Sequence, residues 1–307
     1  MYLKACRVTL PEQSTVVRYV CIWISMVCAL TLCSTQAASP LQVLSSVKPV
    51  QLVVDALAGD TIDSELLLSA RVSPHDFALR FSDLRRLQQA DLFVWLGPQF
   101  EHYLVEPLRQ RDGEKIFALL AAHETGDKHW HDPHIWLDPL AVKDSAERIA
   151  AALILADPGN ASRYRGQLAA FQAELDLLHQ RIADRFTGLA GSGVITTHAG
   201  LQHFLRRYQL NQIGSVYTGA NDLLSLKHIE GLRRRVEHGD VHCVMLEPQY
   251  ERNKIQALFK NLDINLVEVD VLGASASSYA VLLNEVSDAV YRCLVEGRPG
   301  TRKGSGN

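Results

Sequence analysis

One apolar stripe constrains this chain more than any other feature. Tyr164, Leu168, Phe171, Leu175, Leu178, Ile182, Phe186 and Leu189 recur at steps of three and four, the period of a single helix face. Arg163, Arg165, Gln167, Glu174, Asp176, Gln180, Arg181 and Asp184 fall on the other faces. The breaker cluster Asp157-Pro158-Gly159-Asn160 precedes the stripe, with Asn160 placed as a cap, and the glycines of Leu189-Ala190-Gly191-Ser192-Gly193 end it. The spacing predicts a helix over 160–189. At roughly 1.5 Å per residue it runs on the order of 45 Å, as long as a domain is wide. A rod of that length joins two lobes stiffly; the alternative is an ordinary long helix inside one domain.

The flanking segments favour two lobes. Ahead of the rod, strands are expected at 42–47, 65–68, 92–96 and 115–119, with helices at 50–57, 82–90, 99–108 and 139–156. Beyond it, strands are expected at 194–196, 212–216, 241–246 and 265–269, with helices at 199–208, 225–237, 250–260 and 277–294. Strand–helix alternation of this kind builds parallel sheets covered by helices. The expected fold class is α/β, two parallel-sheet lobes joined by one long rigid helix. The boundaries are an N-terminal lobe at 39–157, the linking helix at 158–190, a C-terminal lobe at 191–297, and a disordered tail at 298–307 rich in glycine and basic residues.

Residues 1–38 read as a cleaved signal peptide. Lys4, Arg7 and Arg18 precede the apolar run 20–32, and small residues follow in Ser34-Thr35-Gln36-Ala37-Ala38. The run is too short to span a bilayer; an uncleaved anchor is the alternative. Leu32 before Cys33 is too bulky for a good lipidation box. The whole chain carries −3, and loss of Lys4, Arg7, Arg18 and Glu12 leaves −5, which gives no reason to expect a nucleic-acid partner. Four of the six cysteines lie in the leader, leaving Cys243 and Cys293. In an exported protein that pair reads as one disulfide, against the alternative of two buried thiols.

Parallel α/β sheets bind ligands beyond the carboxyl ends of their strands. Four side chains able to hold a metal follow strands directly: His75, His134, His198 and Asp270. Glu247 is a less certain fifth. Three imidazoles and one carboxylate suit a tetrahedral Zn²⁺ better than Mn²⁺ or Ca²⁺. No His-Glu-x-x-His is present, nor a His-x-Glu with a Cys-x-x-Cys partner. Asp76, Asp132, Asp138 and Glu247 are candidate bases, but nothing singles one out. His102, His179, His203, His228, His238 and His242 lack paired spacing and read as ordinary histidines. Trp95 and Trp136 read as core or cleft wall, and Arg233-Arg234-Arg235 as a solvated helix face.

Three stretches carry a resemblance: 73–83, beginning Ser73-Pro74-His75-Asp76-Phe77; 90–97, ending Val94-Trp95-Leu96-Gly97; and Pro133-His134-Ile135-Trp136-Leu137-Asp138-Pro139. In these the chain resembles the cluster A-I solute-binding proteins of ABC importers over about 41–296. Thr197-His198 and the stretch Cys243-Val244-Met245-Leu246-Glu247-Pro248-Gln249-Tyr250 resemble the zinc branch, the ZnuA-type proteins. The resemblance implies zinc held between two lobes by His75, His134 and His198, and a disulfide matching Cys243–Cys293. It also implies a monomeric, non-enzymatic periplasmic carrier delivering Zn²⁺ to an ABC permease at the inner membrane. Manganese-binding relatives typically have Glu where His198 stands. Pro74 replaces a glutamate that supplies a fourth ligand in some members, so Asp270 or water is expected there. The His-rich loop of many members shrinks here to 123–132, with His123, His129 and His131 as weak zinc collectors or plain solvated residues. The rival readings are a zinc metallohydrolase using the same histidines and a manganese carrier; an adhesin role would need an anchor that Leu32-Cys33 supports poorly.

Overall fold

Eight short strands are laid out as two parallel sheets of four in the computed structural model, which describes residues 39–296 apart from 73, 75, 76, 120–131 and 218–223. The first lobe runs β1 (Leu41–Ser45), α1 (Lys48–Ala58), β2 (Ile62–Leu66), α2 (Phe81–Gln89), β3 (Leu92–Trp95), α3 (Val105–Leu108), β4 (Ile116–Ala118) and α4 (Pro139–Ala156). The second runs β5 (Gly193–Thr196), α6 (Gln202–Arg207), β6 (Asn211–Ser215), α7 (Leu226–Glu237), β7 (Cys243–Leu246), α8 (Arg252–Leu258), β8 (Asn265–Glu268) and α9 (Tyr279–Glu296). The strand orders are β2-β1-β3-β4 and β6-β5-β7-β8. Each lobe thus repeats one plan, with its topological switch between the first and third strands. β3 and β7 are buried at every position, as a strand covered on both faces must be, and both are continuous apolar runs.

Between the lobes lies α5 (Ala161–Arg185), 25 residues long, or roughly 37 Å. It buries Tyr164, Phe171, Leu175, Leu178 and Ile182 of the predicted stripe. It stops four residues earlier than the periodicity suggests. The Phe186 amide folds onto the carbonyls of Ile182 and Ala183, and Gly188 and Gly191 both take φ near +79°, a backbone that ends a helix at little cost only in glycine.

Two other elements differ from expectation. β2 lies at 62–66, three residues before the apolar run that suggested it. It is an edge strand whose inward face is Ile62, Ser64 and Leu66, with Ile62 alone buried, so pairing with β1 in the register Leu41↔Ile62 sets its position. The helix expected over 99–108 is reduced to a tight turn, His102–Leu104, and the four-residue α3. Pro107 offers no N–H there. The Glu101 carboxylate also turns back to accept the amides of Leu96 (2.7 Å) and Gly97 (3.3 Å).

The described residues from Pro40 onward form one compact unit. One hydrophobic cluster runs from Val43 and Leu92 in the first sheet, through Tyr164, Phe171 and Leu178 of α5, to Val194, Phe204, Met245 and Tyr279. The two lobes therefore share a core. Smaller clusters fill the outer faces, around Phe93 and Leu104 in one lobe and around Ile195 and Ile255 in the other. Cys243 of β7 and Cys293 of α9 are joined by a disulfide, their Cα atoms 5.5 Å apart. Among the described residues no helix is long and apolar enough to cross a membrane. The leader, the histidine loop and the tail lie outside the described residues.

Candidate metal centre

The carboxyl edges of both sheets meet at one small cavity. Pro74 after β2, Phe100 after β3 and His134 after β4 line it from the first lobe. His198 after β5, Glu247, Gln249 and Tyr250 after β7, and Val271 and Leu272 after β8 line it from the second. It encloses about 20 Å³, room for a single water-sized species.

His198, the second residue past β5, has an extended backbone and leads into the turn Ala199–Leu201. That turn brings the backbone of Gly200 beneath the imidazole: a Cβ there would stand 2.5 Å from Cε1 and 2.6 Å from Nε2 of His198. His134 stands at the head of the turn Ile135–Leu137. Asp138 then caps α4 by accepting the Leu140 amide, and Pro139 supplies the preset first residue of the helix.

The two imidazoles come from opposite lobes and meet Nε2 to Nε2 at 3.2 Å. Each is aimed by a carboxylate behind it. His134 Nδ1 lies 2.6 Å from Asp132 Oδ1, and His198 Nδ1 lies 2.5 Å from Glu247 Oε1. Glu247 is in turn held by the Thr197 hydroxyl at 3.2 Å, and Asp132 Oδ1 also accepts the His134 amide at 3.0 Å. A carboxylate on one ring nitrogen fixes the tautomer that presents the other nitrogen to a cation. With Zn–N bonds of about 2.0–2.1 Å, two ligands of a tetrahedral ion stand roughly 3.3–3.4 Å apart. The observed separation matches that edge. Aromatic walls keep the rings from turning away: Phe100 and Trp136 flank His134 at centroid distances of 5.5 and 5.0 Å, and Tyr250 stacks on His198 at 6.1 Å.

The electrostatics divide the pair. Burial dominates at His134 and draws its imidazole below the usual histidine value, against the pull of Asp132. Burial acts the same way on His198, but the charge and hydrogen bond of Glu247, aided by Asp132, outweigh it and leave that ring raised. Asp132 is lowered despite its burial, because His134 and His203 surround it with donors and positive charge.

Of the four expected ligands, the structure brings His134 and His198 together. His75 lies outside the described residues. Asp270 uses its carboxylate to accept the amides of Leu272, Gly273 and Ala274 at 3.0, 2.9 and 2.7 Å, closing its own loop. Among the described residues no group of three or more His, Cys, Asp or Glu converges as a metal site. Asp132, weighed from sequence only as a possible base, and Glu247, weighed as a base or a less certain fifth ligand, stand as the orienting carboxylates. His203 is buried and bonds the Asp132 carbonyl at 2.9 Å, a supporting role that spacing alone did not suggest.

Fold and site together define a class: a two-lobed solute-binding protein with its ligand position between the lobes. A profile described as "Zinc-uptake complex component A periplasmic" matches residues 43–293, and the chain belongs to this family. It is 26% identical to the high-affinity zinc uptake system protein ZnuA of Haemophilus ducreyi, over 83% of this chain and 93% of that protein. It is 28% identical to the protein of the same name from Yersinia pestis, over 82% of this chain and 91% of that one. Among solved structures, a zinc-bound ZnuA deletion mutant superposes with a TM-score of 0.74 at 25% identity, covering 83% of this chain and 98% of the other.

Proposed function

We propose that this chain is a periplasmic zinc-binding protein that captures Zn²⁺ with high affinity and hands it to an ABC import permease at the inner membrane. In this reading it is exported by a cleaved leader over 1–38, acts as a monomer and performs no chemistry on its cargo. The observation that supports it most is the His134–His198 pair, two imidazole nitrogens at a tetrahedral edge distance with a carboxylate behind each ring. His75 is the third ligand in this reading. Water is favoured over Asp270 as the fourth, since three backbone amides already occupy the Asp270 carboxylate. The small cavity between the two imidazoles suits a single ion.

Competition against a chelator of known affinity tests the reading. The full chain should bind one Zn²⁺ in preference to Mn²⁺. Alanine at His134 or His198 should weaken binding by more than about 100-fold, beyond the loss typical of an outer-shell partner, with the fold intact. His75→Ala should do the same and Asp270→Ala should do much less. Unchanged affinity in both His134→Ala and His198→Ala would discard the site.

A further inference from the structure

We propose, resting on that reading of the site, that Arg207 is a positioning residue of the metal centre, tying the His134 segment to the opposite lobe and so setting how fast the bound ion leaves. By sequence, residues 132–139 belong to the first lobe, between β4 and α4. They pack on the first lobe through Phe100, but their long-range hydrogen bonds run to the second. The Trp136 indole N–H donates to the Val271 carbonyl at 2.8 Å, and the Tyr279 hydroxyl donates to the Trp136 carbonyl at 2.8 Å. His203 reaches the Asp132 carbonyl from α6. From the last residue of α6, Arg207 forks onto Asp138, Nε to Oδ1 at 2.8 Å and a terminal nitrogen to Oδ2 at 2.6 Å. His134 is thus pinned before and after by one short helix of the lobe that carries His198.

The fork differs from its neighbours in kind. It is a charged, bidentate pair, the geometry in which a guanidinium gives direction as well as energy. Asp138 is nearly buried, its side chain 10% exposed, so screening by solvent is limited on that side. Its Oδ1 also takes the Leu140 amide that starts α4. Arg207 therefore fixes the point where the metal-bearing turn passes into the first-lobe helix. It lines no part of the cavity, so an effect on the ion must act through the placement of His134.

Zinc release from the loaded full chain into excess chelator, followed by stopped flow, tests this together with the melting temperature of the metal-free protein. Arg207→Gln should speed release by about tenfold, the lower end for loss of an outer-shell partner. Asp138→Asn keeps an acceptor for the Leu140 amide and should speed release less. The double variant should release no faster than Arg207→Gln, since both changes remove one interaction. A lowered melting temperature with an unchanged release rate would overturn the proposal, leaving Arg207 a structural group only; additive effects in the double variant would overturn it too. Should Arg207→Gln fail to fold, Asp138→Asn carries the same measurement, and unchanged release there would overturn it. His198→Ala run in parallel separates the two failures. Wild-type affinity in that variant removes the site itself, whereas lost affinity with unaltered Arg207→Gln kinetics removes only the role of Arg207.

Discussion

At Gly200 a single added carbon reaches the proposed metal centre. A methyl group there would collide with Cε1 and Nε2 of His198 at 2.5 and 2.6 Å. The ring has little room to retreat, since Glu247 holds its Nδ1 and Tyr250 stacks on its face. Gly200→Ala should therefore lower zinc affinity by about 10–100-fold, as loss of ring orientation does elsewhere, with little change in the metal-free melting curve; equal affinity in chelator competition would show that the ring adapts. Glu101 makes a different prediction. Fully buried, it has its carboxyl pushed by desolvation from the ordinary 4.5 up to about 7, against the opposing bonds of Ser46, Gly97 and Leu96. The folded state thus holds a proton that the unfolded chain gives up earlier, so the contribution of Glu101 to stability is greatest below about pH 4.5 and falls as pH rises towards 7. That penalty is on the order of 3 kcal/mol. Glu101→Gln should erase it, so urea unfolding of the variant and the parent should diverge in the variant's favour between pH 5 and 8; parallel pH profiles would refute the assignment. At this scale the sequence exposes donors better than their supports. His198 stands out because it closely follows a strand, and His134 because it lies in the connection after one, though sixteen residues beyond the end of β4. Spacing marks Glu247 only as a less certain metal-capable residue and Asp132 only as one possible base among several, because what matters is the direction of each carboxylate, Glu247 towards a ring from another strand end and Asp132 towards the ring two residues on. The need for glycine at 200 is likewise invisible before the turn and the ring meet.

At the scale of elements, long periodic segments were legible and short or polar ones were not. The stripe along α5 and the apolar runs of β3 and β7 are set by burial on one helix face or both sheet faces, so the pattern and the structure report the same thing. β2 misleads because an edge strand needs few apolar residues, and the 99–108 segment misleads because one buried carboxylate takes over the amides of its entry turn. The basic run shows the same limit. Arg234 and Arg235, the latter in a surface pair with Asp240, match a solvated helix face, but Arg233 donates to the Leu258 and Lys260 carbonyls at and just past the end of α8. The disulfide gives this scale its prediction. It pins the buried strand β7, from whose end Glu247 emerges, to α9 across 50 residues. Closing a loop of that length restrains the unfolded chain by about 4 kcal/mol at most on the chain-entropy account, with 2–4 typical. The bonds among Thr197, His198 and Glu247 do not involve either cysteine. Replacing both cysteines with alanine should lower denaturant stability by that range and leave zinc stoichiometry at one; loss of binding in a variant that remains folded would show that the bridge aligns β7 for the site.

At the scale of the whole molecule, the question is how far the lobes can part when the ion leaves. A binding protein whose lobes share little core can swing widely; here the lobes share one around α5. The principal core passes without interruption from one sheet to the other, and the His134 segment is bonded to the second lobe at Asp132, Trp136 and Asp138. A wide rotation would break those bonds and expose part of the shared core. At about 25 cal/mol per Å², uncovering 200–400 Å² of apolar surface costs on the order of 5–10 kcal/mol, and a state lying about 5.5 kcal/mol higher is populated at roughly one part in 10⁴. Release by local rearrangement of the ligand-bearing segments requires no such exposure. Zinc removal should therefore leave the small-angle scattering profile of the full chain superimposable on that of the loaded protein, while amide hydrogen exchange quickens at the segments that line the cavity. Scattering that shows a distinctly larger metal-free particle, with exchange quickening along α5 as well, would mean that the shared core opens and that the rod is a hinge after all.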